Sequence, residues 1–182
     1  GPGIMEAANL GAYLANLSEE EVQWVLKTLA EAPKYTDAGF QAAAYAILDR
    51  YPDGAESLAI PTWFYGHEPS NLFATYIAKY FSNSIREDTL LALAVYGIVY
   101  APGSAGTTQE IFMDATQNHY VTFDYVSPMV FLGTHRYTEE TQLYPLITSL
   151  AAGRDYADYL HLTNDPAEVV TFIDHHPPLL VK

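Results

Sequence analysis

After the apolar run Gly97-Ile-Val-Tyr100 the chain reads Ala101-Pro-Gly-Ser-Ala-Gly-Thr-Thr-Gln-Glu110. These residue types, at this spacing, suit the binding of an anion beside an acid. Gly103 and Gly106 let the backbone turn sharply and come close to a ligand. A helix expected over about 107–118 would present the N–H groups of residues 106 to 109 without carbonyl partners of their own. Such a helix head attracts phosphate, because the N–H groups point at it and the helix dipole favours negative charge. Ala105 adds backbone to this cradle, and Ser104, Thr107 and Thr108 add hydroxyl donors. Glu110 lies about one turn inside, where a carboxylate can steady developing positive charge or take a proton from water. A second reading stands beside this one. Thr107 and Glu110 are also spaced as a capping box, and a single glycine-rich loop is a weak motif.

Other residues belong to the same search. Arg86 is one of four arginines, and a guanidinium binds phosphate bidentately. The alternative for Arg86 is a surface salt bridge to Glu87 or Asp88, which would contribute little. The stretch Trp63-Phe64-Tyr65-Gly66-His67-Glu68 is suited to stacking on a base. One ring of Trp63 and Phe64 is assigned to the core and the other to the rim, with Tyr65 and His67 as rim residues. Asp114 and Asn118, one and two turns beyond Glu110, read as helix-surface residues. His119, His135 and His161 are scattered and read as structural. Asp174, His175 and His176 precede Pro177-Pro178 and read as an exposed tail. No metal and no cofactor are expected.

The elements that must position these residues follow from periodicity and punctuation. Helices are expected over 4–16, 19–31, 37–50, 70–82, 84–93, 107–118, 139–151 and 166–174. Ser18 and Glu21 form a capping-box signature at the second of these. Strands are expected over 57–64, 96–100, 128–133 and 159–162. Alternating strands and helices imply an α/β fold, with a parallel sheet covered on both faces. Ligands bind such sheets outside the carboxyl ends of the strands. Loops 65–70, 101–107 and 133–138 fall on that edge.

Composition narrows the partners. The chain has 182 residues and no cysteine, and its net charge is -14. That length suits one domain with a full core. The absence of cysteine excludes disulfides and thiolate metal sites. So acidic a surface repels nucleic acid and anionic membrane, which excludes both as partners. A small phosphorylated ligand remains compatible, given a local positive field. No segment approaches the roughly 20 apolar residues of a membrane helix, and no signal peptide is visible. Cytoplasmic residence is the expectation.

Three segments in order carry a family resemblance. Segment 101–110 resembles the Pro-Gly-Gly-x-Gly-Thr-x-x-Glu motif of the LOG family, the lysine decarboxylase-like, Rossmann-type nucleotide-binding proteins. The opening Gly1-Pro2-Gly3-Ile4-Met5-Glu6-Ala7-Ala8-Asn9 resembles the end of that family's other glycine-rich signature. Between them, Asn83-Ser84-Ile85-Arg86-Glu87-Asp88 stands where the family carries its arginine motif. The resemblance spans essentially the whole chain. It implies a Rossmann-like parallel sheet flanked by helices, lacking its first strands, and a homodimer.

The activity implied is hydrolysis of the N-glycosidic bond of a nucleoside 5′-monophosphate, with free base and ribose 5-phosphate as products. The alternative is a nucleotide- or phosphate-binding protein without catalysis. By the same resemblance Glu110 and Arg86 are catalytic, and Gly1 and Gly3 form the far side of the phosphate site. Ser104 replaces the motif's second glycine, which would cost stability if that position needed a positive φ. A pyridoxal-dependent decarboxylase needs a Schiff-base lysine. Lys27, Lys34, Lys79 and Lys182 are the only lysines. None stands in a recognisable phosphate-anchoring context on the ligand edge, so that reading is rejected.

Overall fold

A computed structural model describes residues 2–63 and 71–181. Gly1, Tyr65 and His67, assigned above to the phosphate site and the base rim, lie outside the described residues, as does Phe64. The chain divides into two compact units, residues 1–86 and 87–182. The fold is mixed α/β, with small parallel sheets flanked by helices.

The first unit opens with three helices, α1 (Pro2–Tyr13), α2 (Glu19–Ala30) and α3 (Phe40–Arg50). The Ser18–Glu21 box forms as the spacing requires. The Glu21 N–H donates to Ser18 Oγ, and the Ser18 N–H donates to Glu21 Oε2 at 2.9 Å. Leu10, Leu14, Val25, Ala44, Ile47 and Phe73 make this unit's core. Strands β1 (Leu58–Ala59) and β2 (Tyr76–Ile77) pair in parallel. Their ladder continues to the Thr62–Tyr80 bridge, where the Trp63 N–H donates to Tyr80 O at 2.8 Å. The expected helix over 70–82 is therefore corrected to extended chain around β2. The helix spacing in that segment is real but yields to long-range strand pairing.

Helix α4 (Asn83–Leu93) contains the division between the units. The second unit is built on β3 (Ile98–Tyr100), β5 (Met129–Leu132) and β6 (Leu160–Thr163), parallel and in the spatial order β3-β5-β6. The intervening β4 (Tyr125–Val126) pairs antiparallel with β7 (Leu179–Leu180). The segment after His175-His176, expected to be an exposed tail, is thus tied to the fold. Helices α5 (Ala105–Tyr120) and α6 (Leu143–Ala151) bury Ile111, Ala115, Ile147 and Ala151 together with Met129 and Phe131. Residues alternate across a strand, so Val130 and His161, paired in register, face the opposite side. There His161 stacks on Phe172 of α7 (Pro166–His175) at 4.6 Å between centroids. The sheet is covered on both faces as alternating strands and helices require. Among the described residues, no helix is long and apolar enough to cross a membrane.

Candidate anion cradle and active site

The cradle segment leaves β3 at its carboxyl end. Helix α5 begins at Ala105, two residues before the expected start, with Ser104 as its N-cap. Thr107 therefore lies inside the first turn, which excludes the capping-box reading of Thr107 and Glu110. Ser104 makes no side-chain cap hydrogen bond. The N–H groups of Ala105, Gly106 and Thr107 stand in the first turn, ahead of any carbonyl four residues back in the helix. Thr108 differs from the expectation, because its N–H donates to Ser104 O at 3.1 Å and its hydroxyl to the same oxygen at 3.2 Å. Its hydroxyl and N–H are thus spent on the helix, and the open head covers residues 105 to 107. Ser104 has φ −116°, so the departure from the motif glycine carries no left-handed strain.

Gly103 is required by packing. A Cβ there would overlap Thr107 Oγ1 and fall 2.8 Å from Thr107 Cβ. A Cβ on Gly106 would meet nothing within 4 Å. The first glycine lets the helix fold back over the loop, and the second leaves its head open.

The neighbouring strand's loop fixes the cradle from the side. Arg136, in the π-helical turn Arg136–Glu140 after β5, donates through Nη2 to Gly103 O. Its Nη1 pairs with Glu140 at 2.9 Å. The Tyr137 hydroxyl donates to Ala101 O at 2.7 Å. A Cβ on Gly133 would come 3.0 Å from Pro102 Cγ, and Gly133 has φ +119°, a region costly for any other residue. Loops 101–104 and 133–137 thus meet on one sheet edge, as the strand order demands.

Glu110 is partly buried on α5. Its charge is felt by two tyrosines. Burial pushes the Tyr100 phenol well above its usual range, with nearby Asp114 and Glu110 adding to the shift. Burial pushes Tyr137 up to about 12; Arg136 opposes this and Glu110 adds to it.

Deeper on the same helix lies a polar chain whose residue types predict a surface position. Asp114 and Asn118 are 2% and 3% exposed, which corrects that assignment. The Tyr100 hydroxyl donates to Asp114 Oδ2 at 2.6 Å, and Asn118 Nδ2 donates to Asp114 Oδ1 at 3.2 Å. Asn118 Oδ1 in turn accepts from the Ser127 N–H at 2.8 Å. Burial raises the Asp114 carboxyl from 3.8 to about 7, against the opposing pull of the Tyr100 hydrogen bond. The signal was present in the sequence. Ile111, Asp114, Ala115 and Asn118 follow the i, i+3, i+4, i+7 stripe of a buried helix face.

The remaining assignments fall in the first unit or outside the site. Arg86 donates through Nη2 to Asn83 Oδ1 at 3.0 Å. Neighbouring Glu87 is fully buried. Gly3 lies in α1, and a Cβ there would meet nothing within 4 Å. Trp63 is 44% exposed, so it is not a core ring. His119 packs edge-on against Tyr120 and Tyr156, His135 lies 3.5 Å from Glu140, and His176 stacks on Phe172. Among the described residues, no three His, Cys, Asp or Glu side chains converge as metal ligands would. No family model matches the chain, and no curated protein matches it in sequence.

Proposed function

We propose that the chain hydrolyses the N-glycosidic bond of a nucleoside 5′-monophosphate on a Rossmann-like sheet. The observation that carries the reading is the open head of α5 at the carboxyl end of β3, with partly buried Glu110 on the next turn. In this reading the N–H groups of Ala105, Gly106 and Thr107 hold the phosphate, with the Ser104 and Thr107 hydroxyls beside them. Arg136, which grips Gly103 O, keeps positive charge next to the cradle in a chain of net charge -14. The bond between ribose C1′ and the base nitrogen breaks, and positive charge develops on the sugar. Glu110 steadies that charge and takes a proton from the attacking water, whose oxygen bonds to C1′. The base nitrogen leaves with the bonding pair and is protonated, giving free base and ribose 5-phosphate. The LOG resemblance gives Arg86 a phosphate- or ribose-binding role as well. No cofactor enters the reaction.

The test is incubation with AMP, GMP, CMP and UMP, followed by chromatography for free base. Glu110→Gln should lower release by about 10²–10⁴-fold, the usual range for removing a positioned acid or base, while retaining nucleotide binding. Unchanged release in that variant would overturn the assignment. Thermal stabilisation by nucleotides without turnover would select a binding protein instead. A homodimer is part of the same reading, and light scattering should give about twice the 20.2 kDa chain mass; a clean monomer contradicts it.

A further inference from the structure

We propose that Arg136 is a positioning residue for the anion cradle: by gripping the Gly103 carbonyl it aims the Ser104 N–H at the phosphate. The inference rests on the cradle reading just given and deepens it, because it adds a fourth backbone donor and names the side chain that sets it.

The grip is held from both ends. Arg136 Nη2 donates to Gly103 O, while Nη1 pairs with Glu140 Oε2 at 2.9 Å. A guanidinium is planar and presents its donors as a fixed fork, so holding Nη1 on Glu140 constrains where Nη2 points. Both residues belong to the π-helical turn Arg136–Glu140, a rare form frequently found at functional sites. A peptide makes such a grip directional. In a trans peptide the carbonyl and the following N–H point opposite ways, and the described residues contain no cis bond. Fixing Gly103 O therefore fixes the Ser104 N–H, pointing away from Arg136. That N–H has no hydrogen-bond partner among the described residues. Ser104 is the N-cap of α5, so its N–H directly precedes those of Ala105, Gly106 and Thr107. Successive backbone N–H groups in a turn form anion-binding concavities.

Tyr137 holds the same loop in a different way. Its hydroxyl donates to Ala101 O at 2.7 Å. The next residue is Pro102, which has no N–H to aim, so this bond anchors the loop without adding a donor. Two adjacent side chains thus separate positioning from anchoring. Arg136 and Glu110 both act on the Tyr137 phenol, in opposite senses, so the grip and the acid share one neighbourhood.

Calorimetry with inorganic phosphate tests the difference, with circular dichroism to check that each variant folds. Arg136→Ala should weaken phosphate about tenfold, the scale of one lost hydrogen bond to a charged group. Arg136→Lys keeps the charge without the fork and should be nearly as weak. Tyr137→Phe should lower the melting temperature yet keep phosphate affinity within about twofold, because no donor is lost. In turnover, the Arg136 variants should raise KM for AMP with kcat little changed, as loss of uniform binding does. Wild-type phosphate affinity in Arg136→Lys would mean that bare charge suffices. Equal weakening in Tyr137→Phe would mean that any loosening of the loop has the same effect. Either result overturns the positioning role. Phosphate bound equally by wild type and Arg136→Ala overturns it too and leaves the cradle standing. A wild-type chain that binds neither phosphate nor AMP overturns the cradle, and this role with it. Phosphate binding that depends on Arg136, without base release, sinks cleavage and leaves the role standing.

Discussion

The two parallel ladders end in opposite ways. At the carboxyl ends of β3 and β5 the polar groups are turned inward on the protein's own backbone and side chains. Tyr137 takes the Ala101 carbonyl, Arg136 takes the Gly103 carbonyl, and Tyr100 is bound to Asp114. At the carboxyl end of the β1–β2 ladder, rings are turned outward on Trp63 and Phe81. The first edge is a rigid frame that leaves backbone N–H groups open to charge. The second offers area and little fixed geometry. A charged group needs aimed donors, because an anion's hydration must be replaced bond by bond.

Phenylalanine truncation at the two edges gives the widest contrast. Phe131 is fully buried and meets the rings of Tyr100, Tyr137 and Tyr144 within 5.3 Å. Phe131→Ala should cost about 3–5 kcal/mol of stability. Phe81→Ala should change stability by less than about 0.5 kcal/mol, as surface substitutions do. Urea unfolding of both variants measures the difference. Similar losses would mean that Phe81 belongs to a core.

The second test concerns the charge hidden in the rigid frame. Asp114 ionises near 3.8 when exposed and is pushed up to about 7 by burial. Between those values the folded chain holds a proton that the unfolded chain has released. Stability therefore falls as pH rises from about 4 to about 7 and is level in this respect above that. Asp114→Asn removes the titrating group, so its stability relative to wild type should improve from pH 4.5 to pH 8. Parallel denaturation curves for the two proteins across that range would refute the buried, proton-holding acid.

How far these edges could be read in advance depended on the range of the interactions that make them. The Ser18–Glu21 box is local, and it was legible. Strands β3, β5 and β6 were legible within one or two residues, because short apolar runs bounded by Gly, Pro or Asn have few other fates. The segment around β2 has helical spacing but is extended. Its two paired residues are fixed by partners 18 positions earlier, Leu58 and Ala59, and nothing local marks them. The start of α5 lies two residues before the expected one, because Thr107 and Glu110 are spaced as a cap while Ser104, three residues before Thr107, is the N-cap without any side-chain cap bond to mark it. Asp114 and Asn118 were misplaced by their polarity, although their spacing matched the buried stripe. Arg136 on the Gly103 carbonyl is a tertiary fact 33 residues apart, and no pattern in the chain encodes it.

The two cradle glycines bring the comparison down to a single turn of chain. Gly103→Ala places a methyl against Thr107, 2.8 Å from its Cβ, and should cost about 1–3 kcal/mol as overpacking does. Thr107→Ala in that background should recover only part, because the Cβ contact remains.

Gly106→Ala should act the other way and by less. Its added methyl meets nothing, and alanine is favoured over glycine in a helix by about 0.5–1 kcal/mol. The variant should therefore be slightly more stable than wild type. That methyl also stands at the open helix head, where a phosphate would have to approach the N–H groups closely. The expected result is a raised melting temperature together with weaker inorganic phosphate binding by calorimetry. Stabilisation with phosphate affinity unchanged would mean that the anion is held elsewhere. The glycine would then be retained at the head of α5 for no reason that either packing or the cradle supplies.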